Sequence, residues 1–446
     1  MANLRSWAGS LLHLSNTTYV WICIFLVMLG AMGQQARWNN NNVFVYDQGG
    51  YYIYLPAAFL FHDLGNLSWT QAARASYRPD QLAEYGNITL PGGQIVFKYP
   101  LGMAVAYSPW FALAKVVYYL KGHADTTGYE DMYEYFVSLG CLLYVMLGLA
   151  VLGKELRHYF SDSVAALTIL ILALGTNLFT YGVYEPLLSH GTLFMLNALL
   201  LRYTRRWYEQ SRPLAAVALG LTAGLMVLIR PSELLLLAVP VLWGLTSRAA
   251  VVERGQFWLR HWRQTLLAAA VALLVASMQF VFWRVVGGQW LIPFYEGETF
   301  NFLDSHVWEG VLSVRKGWLL YSPLLVLALL GIGWVRRYAR PMLPVVLVLV
   351  PVFTYVIFSW HDWGYGGSYG GRAMISIYPV LGFGLAAFWQ RWLGGRASWL
   401  WLPVLASLLL LSINQNHQYS IGLIHWSEMT WELYKERFGL ITWPSS

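Results

Sequence analysis

The stretch WNNNNVFVYDQGGYYIYLPAAFLF, from Trp38 to Phe61, puts a lone carboxylate, Asp47, shortly after the first long apolar run of the chain. Amides, glycines and tyrosines surround it, and the part that follows has the pattern of an amphipathic helix. Gly49 and Gly50 let the backbone turn tightly or approach a ligand. A charge kept at a membrane surface is costly, so Asp47 is a functional candidate from the outset.

The composition of the chain indicates a membrane protein. Of its 446 residues, 57% are hydrophobic and 11% are charged, whereas a soluble domain carries about 25% charged residues. With its repeated apolar runs, this predicts an all-α polytopic integral membrane protein. The 23 Trp and 29 Tyr fit interfacial anchors. The net charge of +7 comes from short basic clusters between apolar runs, so we expect no nucleic-acid partner.

Apolar runs long enough to cross a bilayer predict eleven spans in a single domain, 1–446. They are 17–33, 133–153, 163–181, 186–202, 213–230, 232–247, 265–286, 318–334, 341–360, 374–390 and 399–414. The run 101–120 is instead expected to lie in the outer interface, because Lys115 and polar flanks interrupt it. Cys23 and Cys141 lie inside predicted spans, so there is no disulfide framework.

Arginine-rich short loops set the orientation. They alternate along the chain with the long loops, and short basic loops stay in the cytoplasm. We therefore expect a cytoplasmic N-terminus that acts as an uncleaved signal anchor. The first loop, 34–132, with its interfacial helices, and the tail, 415–446, are expected outside. Compact outer loops favour a bacterial inner membrane, with the chemistry on its periplasmic face.

Polar residues cluster in these outer segments. Their sequence contexts are GGQIVFKYPLG, YGVYEPLLSHG, LIRPSE, SVRKGWLLYSP and FSWHDWGYGGSYGGRAM. The ionisable candidates are Lys98, Glu185, His190, Arg230, Glu233, Arg315, Lys316, His361, Asp362 and Arg372.

This arrangement resembles the GT-C fold of polytopic glycosyltransferases that use polyprenyl-phosphate sugars, nearest to the protein O-mannosyltransferase and aminoarabinose-transferase superfamily. Four features carry the resemblance, which extends from Tyr19 to about Asn414. Asp47 opens the first outer loop, amphipathic helices follow it, the turn YEPLLSH joins two middle spans, and the loop WHDWGYGGSYGGR precedes a late span. In one respect the chain departs from many relatives: Gln48 stands where they have a second acid.

The resemblance implies inverting transfer of a sugar from a lipid phosphate to an acceptor hydroxyl, on a protein, lipid or glycan. Asp47 would act as the base. Glu185 is the second catalytic candidate, either orienting the acceptor or serving as a solvated turn acid. The donor-phosphate ligands would come from Arg372, Arg315, Lys316, Arg230 and Lys98. His361, His190 and Tyr51 would contact substrate. Gln48 puts a paired-acid metal site in doubt. His361 and Asp362 could bind a divalent metal, but two adjacent ligands without a third are a weak signal, so no metal or cofactor is assigned.

Plainer interpretations stay open for most of these residues. Asp47 is also a good helix N-cap, and Arg230 is placed to pair with Glu233. Arg315 and Lys316 are also suited to anchoring a span. Three tyrosines of the first loop, at 51, 52 and 54, fit interfacial anchors at least as well as a sugar platform.

Two other functions fit the same residues. A lipid-linked glycan transporter or flippase would also need basic groups on the outer face. It should, however, carry polar groups near the midplane of broken helices and often has an internal repeat, and neither is visible in the sequence. A lipid-linked sugar polymerase or ligase would use the same donor, and fold alone does not separate it from a transferase.

Overall fold

The structure is a computed structural model that describes residues 14–77, 86–123, 125–293, 297–393, 395 and 398–441, with backbone only at 74, 76 and 398. Residues 1–13, which precede the apolar run of the expected signal anchor, and the last five residues of the expected outer tail fall outside the described residues.

The described chain is dominated by helices whose apolar segments match the runs of the sequence. In the first half they are α1 (Asn16–Gln35), α2 (Tyr46–Tyr52), α3 (Tyr54–Phe59), α4 (Thr70–Tyr77), α5 (Gly102–Leu120), α6 (Asp131–Leu156), α7 (Asp162–Leu174), α8 (Leu178–Val183), α9 (Ser189–Gln210) and α10 (Pro213–Ile229). In the second half they are α11 (Ala238–Leu242), α12 (Arg248–Arg260), α13 (Trp262–Gly287), α14 (Val307–Leu312), α15 (Trp318–Tyr321), α16 (Leu325–Tyr338), α17 (Leu343–Phe358), α18 (Tyr378–Trp392), α19 (Ser398–Ser420) and α20 (Trp431–Phe438). Short 3₁₀ segments complete the list: Arg37–Asn40, Pro231–Leu237, Arg340–Met342 and Arg372–Ile377.

Within the described residues, six helices are long and apolar enough to cross a membrane. They are Asn16–Asn40, Asp131–Leu156, Trp262–Gly287, Arg340–Phe358, Arg372–Trp392 and Trp399–Ser420. Helix lies beneath each of the eleven predicted runs, but several runs are interrupted. The run 163–181 divides into α7 and α8, and the run 318–334 divides into α15 and α16. The count of eleven spans therefore stays a prediction.

Within the described residues, the first loop contains a short β-hairpin that departs from an all-α fold. Strands β1 (Asn87–Thr89) and β2 (Ile95–Phe97) form an antiparallel hairpin, with Ile88 opposite Val96. Val96 packs with Trp283 and Ile292 in a small apolar cluster. The expectation of a purely helical chain is wrong here, because three-residue strands are too short to show a reliable alternation. The tail differs as well, since α19 continues to Ser420 and α20 follows.

The core lies around α18, which is buried along nearly its whole length against α16 and α7. At the opposite extreme, α13 buries only Gln279 and Trp283. It packs mainly on α10, where two glycines allow close approach. A Cβ at Gly220 would lie 2.4 Å from the carbonyl oxygen of Ala268, and one at Gly224 would lie 2.6 Å from that of Ala272. Such seams of small residues are typical of helix packing in membranes.

Candidate active site

Asp47 and Arg372 form an ion pair across 325 positions of sequence. Asp47 lies in the first turn of α2, and Arg372 begins the 3₁₀ segment after the glycine-rich loop 364–371. The Arg372 Nη2 atom lies 3.0 Å from Asp47 Oδ2, and the two side chains are 10% and 26% exposed. Two of the motifs that carried the sequence resemblance therefore meet at one point.

Tyr99 provides the second contact to the carboxylate. Its hydroxyl donates to Asp47 Oδ1 at 2.6 Å, while its carbonyl accepts from the hydroxyl of Tyr54 at 2.6 Å. Gly50 makes this possible, because a Cβ there would lie 2.2 Å from the Tyr99 ring. The N-cap of α2 is Val45. The capping interpretation of Asp47 is therefore wrong, since its oxygens serve Tyr99 and Arg372.

Tyr52 and Tyr54 are not interfacial anchors. Tyr52 is 0% exposed and Tyr54 is 6% exposed. Their hydroxyls donate to the carbonyls of Gly128 and Tyr99 respectively. These two side chains fix α2 and α3 against the rest of the first loop.

A buried amide side chain fixes the glycine-rich loop through hydrogen bonds. Asn177 donates through Nδ2 to the carbonyl of Gly370 at 2.5 Å and accepts from the Tyr378 hydroxyl at 2.5 Å. The Tyr181 hydroxyl accepts from the backbone N–H of Tyr369 at 2.7 Å. Gly370 and Gly371 both have positive φ, which glycine adopts without strain. This scaffold fixes where Arg372 leaves the loop.

Lys316 is also a loop-holding residue. Its buried Nζ donates to the carbonyls of Gly366 at 3.1 Å, Ser368 at 2.7 Å and Trp426. All three N–H groups of an ammonium are thus engaged by the backbone. Burial, followed by the charge of Arg372, lowers the pKa of Lys316 to about 7.

Arg230 belongs to the same charged cluster, since it and Arg372 both act electrostatically on His190 and Tyr365. Its guanidinium lies over the ring of Tyr365 at 5.0 Å, and its Nη1 atom is buried with no hydrogen-bond partner among the described residues. No ion pair between Arg230 and Glu233 is present among the described residues, although the charge of Arg230 acts on Glu233 electrostatically. Glu233 is fully buried and accepts from the Ser376 hydroxyl at 2.9 Å.

Tyr51 and His190 belong to the same charged cluster. Burial raises the pKa of Tyr51, while the charge of Arg230 lowers it and that of Asp47 raises it. His190 is 3% exposed, its ring meets Tyr181 edge-on at 5.3 Å, and both Arg230 and Arg372 act on it electrostatically. Its Nδ1 atom has no partner among the described residues.

Glu185 approaches the same cluster from the turn before α9. Its Oε1 atom accepts from the Tyr419 hydroxyl at 3.1 Å, and its Oε2 atom is buried without a partner in the described chain. Its charge acts on Lys316. Buried polar atoms without partners thus occur on His190, Glu185, Arg230 and Arg372. Since such atoms are costly when unsatisfied, this concentration indicates a place for a polar ligand or water.

Other expected site residues make contacts elsewhere. The Lys98 Nζ atom lies 3.4 Å from Glu298. Arg315 is exposed, donates to the Ser427 carbonyl at 3.2 Å and lies over Trp363. His361 is exposed and stacks edge-on with Trp360.

Asp362 has a structural role in the loop. Its Oδ2 atom accepts from the Gly366 N–H at 2.7 Å, so it shapes the glycine-rich loop. Among the described residues no group of three or more His, Cys, Asp or Glu side chains is placed to hold a metal.

Sequence reasoning missed Tyr99, Tyr365 and Asn177. Tyr99 was overlooked because Lys98 beside it carries the charge, although the aromatic follows a strand of the hairpin. Tyr365 lies in the motif that was singled out, but only His361, Asp362 and Arg372 of that motif were considered. Asn177 lies at a break within an apolar run, and a polar residue at such a break is the signal that should have identified it.

The apolar helices together with the chain's overall similarity make this an integral membrane protein with a GT-C-type fold. The similarity is to the crystal structure of ArnT from Cupriavidus metallidurans in the apo state, with a TM-score of 0.53 and 15% sequence identity. The match covers 91% of this chain and 68% of that one. No protein-family model matches the sequence, and no curated protein matches it significantly. The expected GT-C fold is confirmed at the level of the fold.

Proposed function

We propose that the protein is a membrane glycosyltransferase that moves a sugar, with inversion, from a polyprenyl phosphate to an acceptor hydroxyl on a protein, lipid or glycan. We place this reaction on the periplasmic face of a bacterial inner membrane, with the N-terminus in the cytoplasm. One observation carries the proposal: the carboxylate of Asp47 is paired with Arg372, and both act electrostatically on Tyr51 together with Arg230, whose Nη1 atom has no hydrogen-bond partner among the described residues. A carboxylate that can act as a base and basic groups that can bind an anion thus belong to one cluster.

Asp47 is suited to accept the proton of the acceptor hydroxyl. Each of its oxygens has one protein donor, Tyr99 or Arg372, and a carboxylate oxygen can accept more than one hydrogen bond. Lone pairs therefore stay open toward a substrate. The two donors fix the orientation of the carboxylate, and holding a base in attack geometry lowers the entropic part of the barrier.

Among the basic residues, we propose Arg230 as the main ligand of the donor phosphate. It has a free buried N–H in the described structure, and Tyr365 holds its plane by a cation–π contact. Arg372 contributes a second positive charge, and its Nε atom has no hydrogen-bond partner among the described residues. Charge aimed at the leaving phosphate stabilises the negative charge that grows there during transfer. His190, Tyr51 and Glu185 line the space between and are the substrate contacts we propose.

The remaining cations have supporting roles in this proposal. The N–H groups of Lys316 donate to backbone carbonyls, so we assign this residue to positioning the loop that carries Arg372. We propose that Arg315, Lys98 and His361 meet the donor lipid or its headgroup at the outer surface.

Purified protein in liposomes tests the proposal, with a panel of polyprenyl-phosphate sugars as donors and release of polyprenyl phosphate as the readout. Asp47→Asn should lower turnover by about 100-fold or more. Asp63→Asn is the matched control, because Asp63 lies in the same loop and only accepts from the turn residues Asn66 and Ser68. Undiminished turnover by Asp47→Asn would contradict the role of the base. Movement of the intact donor across the bilayer without release would instead identify a flippase.

A further inference from the structure

A basic and aromatic corner lies at the junction of α12 and α13, remote from the residues discussed above. The two helices meet at His261, where α12 ends and α13 begins. An apolar stripe continues across the junction: Val251 is 54% exposed, Leu259 77%, Trp262 53% and Leu266 58%. Leu259 at the end of α12 and Trp262 and Leu266 at the start of α13 line one cleft, so exposed apolar side chains of the two helices meet at the junction.

The corner contains an open cleft of about 460 Å³. It is lined by Gly255, Trp258, Leu259, Trp262, Thr265 and Leu266. Nearly all of this lining is apolar or aromatic. Trp262, Thr265 and Leu266 of this lining belong to α13, which is long and apolar enough to cross a membrane. A cleft of this form suits an acyl chain lying against the helix.

Positive charge borders the cleft without compensation. Arg260 and Arg263 are exposed and directly follow the lining residues Leu259 and Trp262. Neither arginine pairs with a carboxylate in the part of the chain that the structure describes. Segment 248–263 has four arginines against one acid, Glu253. One of the four, Arg254, is turned inward, donating to the Trp243 carbonyl and lying over Tyr208.

We propose that this corner binds an anionic phospholipid of the surrounding bilayer, with its headgroup at Arg260 and Arg263 and an acyl chain in the cleft. An apolar face alone would accept any lipid. The uncompensated arginines select a negative headgroup, since a basic residue at a membrane surface attracts anionic lipid. Tryptophans at the boundary between chain and headgroup are favoured at such depths. This inference does not depend on the proposed transferase activity.

The test is titration of detergent-purified full-length protein with phosphatidylglycerol or phosphatidylcholine, followed by native mass spectrometry. Each basic residue near an anionic surface contributes roughly a fivefold gain in affinity, so Arg260→Gln with Arg263→Gln should weaken phosphatidylglycerol binding about 30-fold. Leu259→Ser should weaken both lipids. The matched control is Arg336→Gln with Arg337→Gln, which removes two exposed arginines from the end of α16.

The replaced arginines are exposed, and the melting temperature of each variant without lipid checks that the fold is retained. The site is supported if the wild type prefers phosphatidylglycerol over phosphatidylcholine and only the variant with both Arg260 and Arg263 replaced loses this preference. Three results would overturn it. They are equal binding of the two lipids by the wild type, unchanged binding by the double variant, and an equal loss in the control.

Discussion

Replacing Gly50 with alanine should damage the candidate active site without altering any of its charged groups. The added Cβ would lie 2.2 Å from Cδ2 and 2.6 Å from Cε2 of Tyr99. Ordinary van der Waals contact starts at 3.4 Å, so the ring must retreat by at least about 1.2 Å. The Tyr99 hydroxyl, now 2.6 Å from Asp47, would then lose its hydrogen bond.

The expected size follows from that displacement. Misplacing a catalytic group by about 1 Å costs on the order of 100-fold in rate. Overpacking of this kind also destabilises a protein by about 1–3 kcal/mol. Tyr99→Phe removes the hydroxyl and leaves the ring in place. Since a hydrogen bond to a charged group contributes about 1.5–3 kcal/mol, this variant should lose at least tenfold in turnover.

Donor turnover in liposomes measures both variants, with Gly33→Ala as the control. Gly33 is also helical, but a Cβ there would meet nothing within 4 Å. The control should keep full activity, because alanine is favoured over glycine in a helix. If Gly50→Ala and Tyr99→Phe both turn over donor at the wild-type rate, Tyr99 does not hold the base and our account of Asp47 fails.

Three further predictions concern charge and orientation. Arg230→Ala should weaken binding of a non-hydrolysable polyprenyl-phosphate analogue at least tenfold. Arg230→Lys should restore this binding only partly, because lysine lacks the forked geometry of the guanidinium. Tight binding by the alanine variant would exclude Arg230 from the phosphate site. Burial lowers the pKa of Lys316 from 10.5 to about 7, so between these pH values the unfolded chain binds more protons than the folded chain. The wild type should therefore gain thermal stability relative to Lys316→Met as the pH rises. Melting temperatures of the two proteins that change in parallel from pH 7 to 10 would refute this. In a background without Cys23 and Cys141, an impermeant thiol reagent applied to intact cells should label Thr299→Cys but not Tyr338→Cys, because the loop 287–317 is predicted to be outside; the opposite pattern would invert our topology.

The helical framework was largely predictable because each helix in a bilayer must bury its own backbone hydrogen bonds under an apolar surface. That requirement leaves a local signature, and helix lies beneath every apolar run that we identified. Asp47 and Arg372 were also identifiable, because an isolated charge at the edge of an apolar run stands out by itself. Their contact was not, since 325 positions separate them and only packing brings them together.

The sequence did not predict the role of a charged side chain where that side chain hydrogen-bonds to the backbone. Lys316 and Asp362 both have the residue types of a ligand site, yet one binds three carbonyls and the other accepts from the Gly366 N–H. Tertiary geometry decides this choice, because any carbonyl brought near by folding can outcompete a ligand. Glu233 is similar: its neighbour Arg230 is three positions away, but its partner Ser376 comes from another helix.

The glycine seam between α10 and α13 has an evolutionary consequence. Gly220 and Gly224 face carbonyl oxygens so closely that no larger side chain fits without separating the helices. The opposite surface of α13 contacts nothing within the described chain over most of its length. Its residues can therefore drift among apolar types with little penalty, while the two glycines cannot. Among homologues, α13 should vary widely on one side and stay nearly fixed where it meets the seam, so that a single helix records two rates of sequence change.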